Sequence, residues 1–218
     1  MPRLFEEVYV IEAPVRAFHW INALCVLTLF ATGLVIGNPP VFLDRTEAAF
    51  GYWFGTVRFI HFATAYIFVC NIALRFYWAF RGNRFARWSH YLLLRGEQWR
   101  EVRAMAARYL LIGRSRQPLG VNALAGFTYF LMFGVVIFMI VSGFGMYAAM
   151  SDSWFPRLFA WIVPLMGGDE TVRLWHHAAA WVFPVFVVLH VYLVYFNDRG
   201  EHGFLSSIVT GWRRVESP

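Results

Sequence analysis

The chain reads as an all-α integral membrane protein, a four-helix bundle with both termini on the cytoplasmic side. Three observations predict it. Hydrophobic residues make up 59% of the chain and charged residues 15%, where roughly 25% charged is ordinary for a soluble domain. Four separate stretches supply the ~20 mostly apolar residues that a spanning helix needs. The arginines, which account for all nineteen basic residues, fall unevenly on the segments between those stretches. A mean hydropathy of +0.51 leaves too little polar surface to coat a globule, which excludes a disordered tail, a secreted disulfide scaffold and most soluble enzymes. The 218 residues are expected to form one membrane domain.

At the N-terminus, Glu6, Glu7 and Glu12 precede any apolar run; this is no cleavable signal peptide, so the first apolar segment is expected to stay as a helix. The expected spans are 17–37, 56–80, 119–150 and 173–196. Gly37-Asn38-Pro39-Pro40 closes the first, because two prolines cannot continue a helix. The third is long enough to tilt or protrude. The apolar piece 154–166 is broken by Pro156, Arg157 and Pro164, and is expected to lie at the periplasmic interface. In the loop 81–118, Trp99, Val102, Ala106, Tyr109 and Leu110 recur near helical spacing, with Arg100, Arg103 and Arg108 elsewhere around the turn. That pattern predicts a basic amphipathic helix on anionic lipid, with no nucleic-acid role.

Orientation follows from the arginines. One arrangement puts the N-terminus, the 81–118 loop and the C-terminus on the same side, which collects fourteen of them. Arg45, Arg58, Arg157 and Arg173 fall opposite, and Arg75 lies within the second span. Positive charge is retained in the cytoplasm, so both termini are assigned there, in a bacterial inner membrane. Cys25 and Cys70 sit in apolar stretches, and no Cys-x-x-Cys pair offers a zinc or iron–sulfur site or a c-type haem attachment.

Chemistry is expected at the histidines. His19, His61, His176, His177 and His190 fall in the expected spans, where an ionisable side chain is costly unless it faces the bundle interior or binds something. On an unbroken helix, the fourteen residues from His176 to His190 close to within roughly 40° of whole turns and rise about 21 Å, whereas His177 points elsewhere. His61 lies at the outer start of its span, level with His176; His19 lies at the cytoplasmic start of its span, level with His190. Two axial pairs result, His61 with His176 and His19 with His190, and two b-type haems held between helices by paired neutral imidazoles fit that layout. The competing reading is a redox-inert anchor, or a transporter whose histidines bind metal or shuttle protons.

Arg16, Arg58 and Arg173 each stand three residues before a candidate ligand, one turn nearer the water on nearly the same face, as a partner for a haem propionate would. Asp169 is a competing partner for Arg173, and positive-inside bias already accounts for Arg16. Gly33, Gly126, Gly134, Gly143 and Gly145 allow close approach by a helix or a flat cofactor. Trp20, Trp175 and Trp181 suit either haem faces or an interfacial belt.

Several stretches resemble one family. They are Val8-Tyr9-Val10, Glu12-Ala13-Pro14-Val15-Arg16, Ala17-Phe18-His19-Trp20-Ile21-Asn22-Ala23 and Thr32-Gly33. Farther on come Arg58-Phe59-Ile60-His61-Phe62, Gly120-Val121-Asn122-Ala123-Leu124-Ala125, Trp175-His176-His177 with Trp181, His190-Val191-Tyr192, and Ser206-Ser207-Ile208-Val209-Thr210-Gly211-Trp212-Arg213. Over nearly its whole length the chain resembles the cytochrome b subunit of respiratory nickel–iron hydrogenases, a two-haem membrane anchor of the cytochrome b561 type. The resemblance implies partners: a large nickel–iron subunit and a small iron–sulfur subunit on the outer face. It also implies electron flow from hydrogen through outer and inner haem to menaquinone or ubiquinone, with no hydrogen-splitting site in this chain. The formate dehydrogenase cytochrome subunit has a similar plan and remains the alternative. By analogy with it, His190, Asn122 and Arg16 would border the quinone. Val121 stands where the family commonly carries histidine.

Overall fold

The computed structural model describes residues 5–40, 52–83, 85–87, 96–109, 123–200 and 204–216. Along the chain these form β1 (Phe5–Tyr9), α1 (Ala13–Gly37), α2 (Trp53–Arg81), α3 (Gly96–Tyr109) and α4 (Ala123–Tyr147), the last running into a 3-10 turn at Ala148–Met150. Then follow α5 (Trp154–Arg157), α6 (Ile162–Leu165), α7 (Asp169–Ala180), α8 (Val182–Gly200), α9 (Phe204–Thr210) and β2 (Trp212–Glu216). Four helical stretches are long and apolar enough to cross a membrane: Ala13–Gly37, Trp53–Arg81, Leu124–Met150 and Asp169–Tyr195. Large apolar side chains along them, among them Leu24, Leu27, Leu74 and Val188, are about two-thirds exposed. That is how a helix presents itself to lipid, where nothing is gained by hiding leucine from hydrocarbon. The fold is therefore all-α and multi-pass.

α1 starts at Ala13, four residues earlier than hydropathy suggests. The Glu12 carbonyl accepts from the amides of Val15 and Arg16, and Pro14 sits in the first turn, where a missing N–H costs nothing. The fourth span is not one helix. Pro184 has no amide to give the Ala180 carbonyl, and Trp181 tightens onto Ala178 with a 3.3 Å bond between α7 and α8. His176 on α7 and His190 on α8 therefore lie on either side of a one-residue interruption and not on a single regular helix.

Two compact units divide the chain, with boundaries inside the long helices. The first comprises Met1–His19, Leu74–Gly134 and Phe186–Pro218. In it β1 pairs antiparallel with β2, Phe5 opposite Glu216 and Tyr9 opposite Trp212, an element with no signal in the apolar pattern. The pairing holds the segment before α1 against the segment after α9, which an even number of crossings allows. Gly211 makes the corner: its carbonyl accepts from Val10 and Ile11, its φ is +90°, and a Cβ there would come within 2.7 Å of the Ile11 carbonyl oxygen. Nearby, Glu12 Oε2 accepts from Trp78 Nε1 and the Asn83 amide, both at 2.9 Å, while Asn83 Nδ2 donates to the Val10 carbonyl. These bonds tie the entry of α1 to the exit of α2. In α3, Val102 and Met105 are buried and Trp99 meets the Phe127 ring edge-on, so part of its apolar face is covered by protein.

The second unit comprises Trp20–Ala73 and Val135–Val185. Its core is Cys25, Phe68 and Val136, with Leu29, Ile72, Ile140 and Phe183 packed around them. Tyr66, Phe144, Phe155 and Phe159 make edge-to-face and tilted contacts 5.0–5.9 Å apart. Through them the two single-turn helices of 154–166 fold back on α4, whose Gly145 leaves room for Ile162 and the Phe159 carbonyl. Gly167 and Gly168, both with positive φ, turn the chain into α7.

Gly211→Ala combines a left-handed backbone with a collision, and should cost about 1–3 kcal/mol, localised to the terminal sheet. Limited proteolysis of detergent-purified protein should show faster cleavage at both ends with unchanged helical circular dichroism; ends as resistant as in the parent would show that the corner relaxes freely.

Candidate functional site

The histidines sort by unit. His61, His176 and His177 lie in the second, His19 and His190 in the first. All five are half-buried.

In the second unit α2 supplies His61, whose Nδ1 lies 2.8 Å from Thr32 Oγ1 on α1. A Cβ on the next residue, Gly33, would meet the same ring at Cε1, at 3.4 Å. α7 supplies His176, whose Nδ1 lies 2.8 Å from Ser142 Oγ on α4. Again the next residue is glycine, and a Cβ on Gly143 would meet His176 Cε1 at 3.1 Å. His177, about 100° around the helix from its neighbour, reaches a different place: its ring fills the space beside Gly37 at the end of α1. The adjacent histidines thus contact different helices, and only His176 has a hydroxyl holding its Nδ1.

In the first unit the rings of His19 on α1 and His190 on α8 stand 6.2 Å apart between centroids, with planes inclined at 44°. Phe186, one turn before His190, stacks on its ring at 5.5 Å and 20°.

These residues fit an iron porphyrin. A metal–imidazole bond of about 2 Å on each side, with roughly 1 Å from each nitrogen to its ring centre, asks for centroids about 6 Å apart, close to the His19–His190 spacing. His61 and His176 each have Nδ1 engaged by a hydroxyl, as a histidine that offers its Nε2 to a metal usually has an outer partner on its other nitrogen. Against Cε1 of each of these two rings the facing helix presents a glycine, Gly33 or Gly143.

The arginines are engaged within the protein. Arg16 donates to the Val209 carbonyl on α9. Arg173 pairs with Asp169 at 2.6 Å. Arg58 donates to Met150 Sδ at 2.8 Å, its guanidinium 5.8 Å from the centre of the Phe62 ring. Asn122 lies outside the described residues. Sequence reasoning missed Thr32 and Ser142 as partners of the histidines; the available signal was a Ser/Thr-Gly dipeptide repeated in two apolar helices.

Residues 10–211 match the family described as prokaryotic cytochrome b561. A protein of Cupriavidus necator named probable Ni/Fe-hydrogenase B-type cytochrome subunit is 41% identical, over 94% of this chain and 86% of its own length. A namesake from Azotobacter vinelandii is 39% identical over 94% and 88%. The probable Ni/Fe-hydrogenase 1 B-type cytochrome subunit of Escherichia coli K12 is 32% identical over 94% and 90%. With the matched family covering nearly the whole of a chain that has four helices long and apolar enough to cross a membrane, the protein belongs to the prokaryotic cytochrome b561 family of b-type membrane cytochromes.

Proposed function

We propose that this chain is the membrane cytochrome of a nickel–iron hydrogenase, taking electrons from the hydrogenase's iron–sulfur subunit and delivering them to quinone through two b-type haems. The observation that carries the reading is the His19–His190 ring pair, at the spacing of two axial imidazoles, in a chain whose relatives are named as hydrogenase cytochrome subunits. A b haem between two imidazoles has no open iron position and supplies one-electron transfer, not oxygen binding.

The protein's part is to hold and insulate. His61 with His176, and His19 with His190, are the proposed axial pairs. Gly33 and Gly143 keep the space beside two of those rings clear. Arg58, whose guanidinium rests on a thioether and a ring face, is the proposed propionate partner, and Arg173 and Arg16 divide their charge between such a role and the partners they hold. Asn122, Arg16 and His190 are the proposed border of the quinone site. The arginine distribution supports assigning both termini and α3 to the cytoplasmic face of the inner membrane, with α5 and α6 at the periplasmic interface beneath the hydrogenase. Hydrogen splitting belongs to the large nickel–iron subunit.

Pyridine haemochrome analysis of detergent-purified protein should return about two b haems per chain; none would end the reading. His61→Ala and His176→Ala should abolish one and the same spectral component, His19→Ala and His190→Ala the other. His177→Ala should leave both, and loss of a haem there would overturn the pairing. Gly143→Val, which pushes a branched side chain at His176, should reduce the His61–His176 component severalfold while the other stays at the parental level, read as haem absorbance per protein. Co-purification with hydrogenase subunits tests the partner; recovery with a formate-oxidising enzyme would reassign it.

A further inference from the structure

The hydroxyls of Thr32 and Ser142 do more than satisfy their own helices. Thr32 Oγ1 lies 2.6 Å from the Thr28 carbonyl oxygen and 2.8 Å from His61 Nδ1. Ser142 Oγ, in a fully buried residue, lies 2.6 Å from the Phe138 carbonyl oxygen and 2.8 Å from His176 Nδ1. A hydroxyl has one proton, and a carbonyl can only accept. At 2.6 Å two oxygens repel unless that proton lies between them, so each hydroxyl donates to the carbonyl one turn back, the usual bond of serine and threonine inside apolar helices. The oxygen then has only lone pairs to offer the imidazole. Each Nδ1 must therefore carry the ring proton and donate it, and each Nε2 keeps its lone pair.

The second feature is orientation. At both sites the glycine after the hydroxyl residue faces ring atom Cε1. Thr32-Gly33 and Ser142-Gly143 consequently receive the same edge of the imidazole, Nδ1–Cε1, on two different helices. A generic histidine-to-helix hydrogen bond would not reproduce edge, donor and adjoining glycine twice. We infer that Thr32 and Ser142 are positioning residues: their hydroxyl oxygens hold His61 and His176 as the Nδ1–H tautomers in fixed ring orientation, with Nε2 as the ligand nitrogen. The inference rests on the reading of His61 and His176 as an axial pair. A hydroxyl oxygen accepting from Nδ1–H makes the imidazole a better electron donor and favours ferric over ferrous iron.

The test uses the full-length, haem-loaded protein in detergent, with potentiometric titration of the α-bands and low-temperature electron paramagnetic resonance of the ferric haems. Thr32→Val keeps the shape and removes the oxygen; Ser142→Ala does so with little change in volume. Each should retain haem, raise the midpoint of the component lost in His61→Ala, and shift that component's largest g-value, which follows ring orientation. The other component should not move. Thr32→Ser should restore parental values. If Thr32→Val loses that haem while Thr32→Ser keeps it, the inference also stands, because only the oxygen separates them in function. Unchanged midpoint and g-value in loaded Thr32→Val and Ser142→Ala would overturn it, as would a shift in Thr32→Ser equal to that in Thr32→Val. If His61→Ala and His176→Ala fail to abolish a shared component, the ligand assignment itself has failed, and the inference with it, irrespective of the hydroxyl variants.

Discussion

Hydrocarbon offers no hydrogen bonds, and the rest of this structure follows from that. Each polar group carried into the bilayer must find its partner in the chain, because an unsatisfied one costs several kcal/mol there. Backbone amides solve the problem by becoming helix. Side chains solve it by folding back: Thr32, Thr128 and Ser142 each give their proton to the carbonyl four residues earlier. Once that proton is committed, the oxygen can only accept, and what it meets next is constrained to be a donor. On the inferred tautomers, the orientation of the His61 and His176 rings follows from a rule that has nothing to do with haem. A site built this way has its outer hydrogen bonds in place from helix packing alone.

What the sequence made legible reflects the same solvent. Four apolar stretches, and intramembrane histidines that must be accounted for, stand out because lipid penalises departures so strongly. Features governed by other physics were hidden. The terminal sheet rests on two short strands of ordinary composition, Phe5–Tyr9 and Trp212–Glu216, which pair across the whole length of the chain, and no local periodicity announces such a partner. The Trp181 break was visible in principle as Pro184, but a proline in a long hydrophobic run does not tell how sharply the helix yields. The side chain of Glu12, just ahead of α1, answers to Trp78 and Asn83, residues remote in sequence. Thr32 and Ser142 look like two small polar residues among many until the histidines are set beside them.

Glycine separates two kinds of close approach in this molecule. Gly145 admits a neighbouring backbone and an isoleucine, the familiar use of small residues in membrane helices. Gly33, Gly37 and Gly143 each admit an imidazole instead. The distinction matters for reading substitutions, since an added side chain at the first kind presses on backbone and packing, while at the second it presses on an imidazole ring. Arg173 shows the converse limit. Its ion pair with Asp169 is a sufficient explanation of a charged residue at the head of a span, so charge near a histidine is weaker testimony than space beside one.

The clasp between the two ends also sets an order of events during biosynthesis. Strand β1 leaves the ribosome before any of the four spans and β2 after all of them, so their ladder cannot form until β2 has emerged. At about 5–20 residues per second, the N-terminal strand waits on the order of 10–40 s for its partner. During that interval all four spans can be inserted while the clasp is still open. Its closure then requires that all four spans have been made and that β1 and β2 emerged on the same side of the membrane.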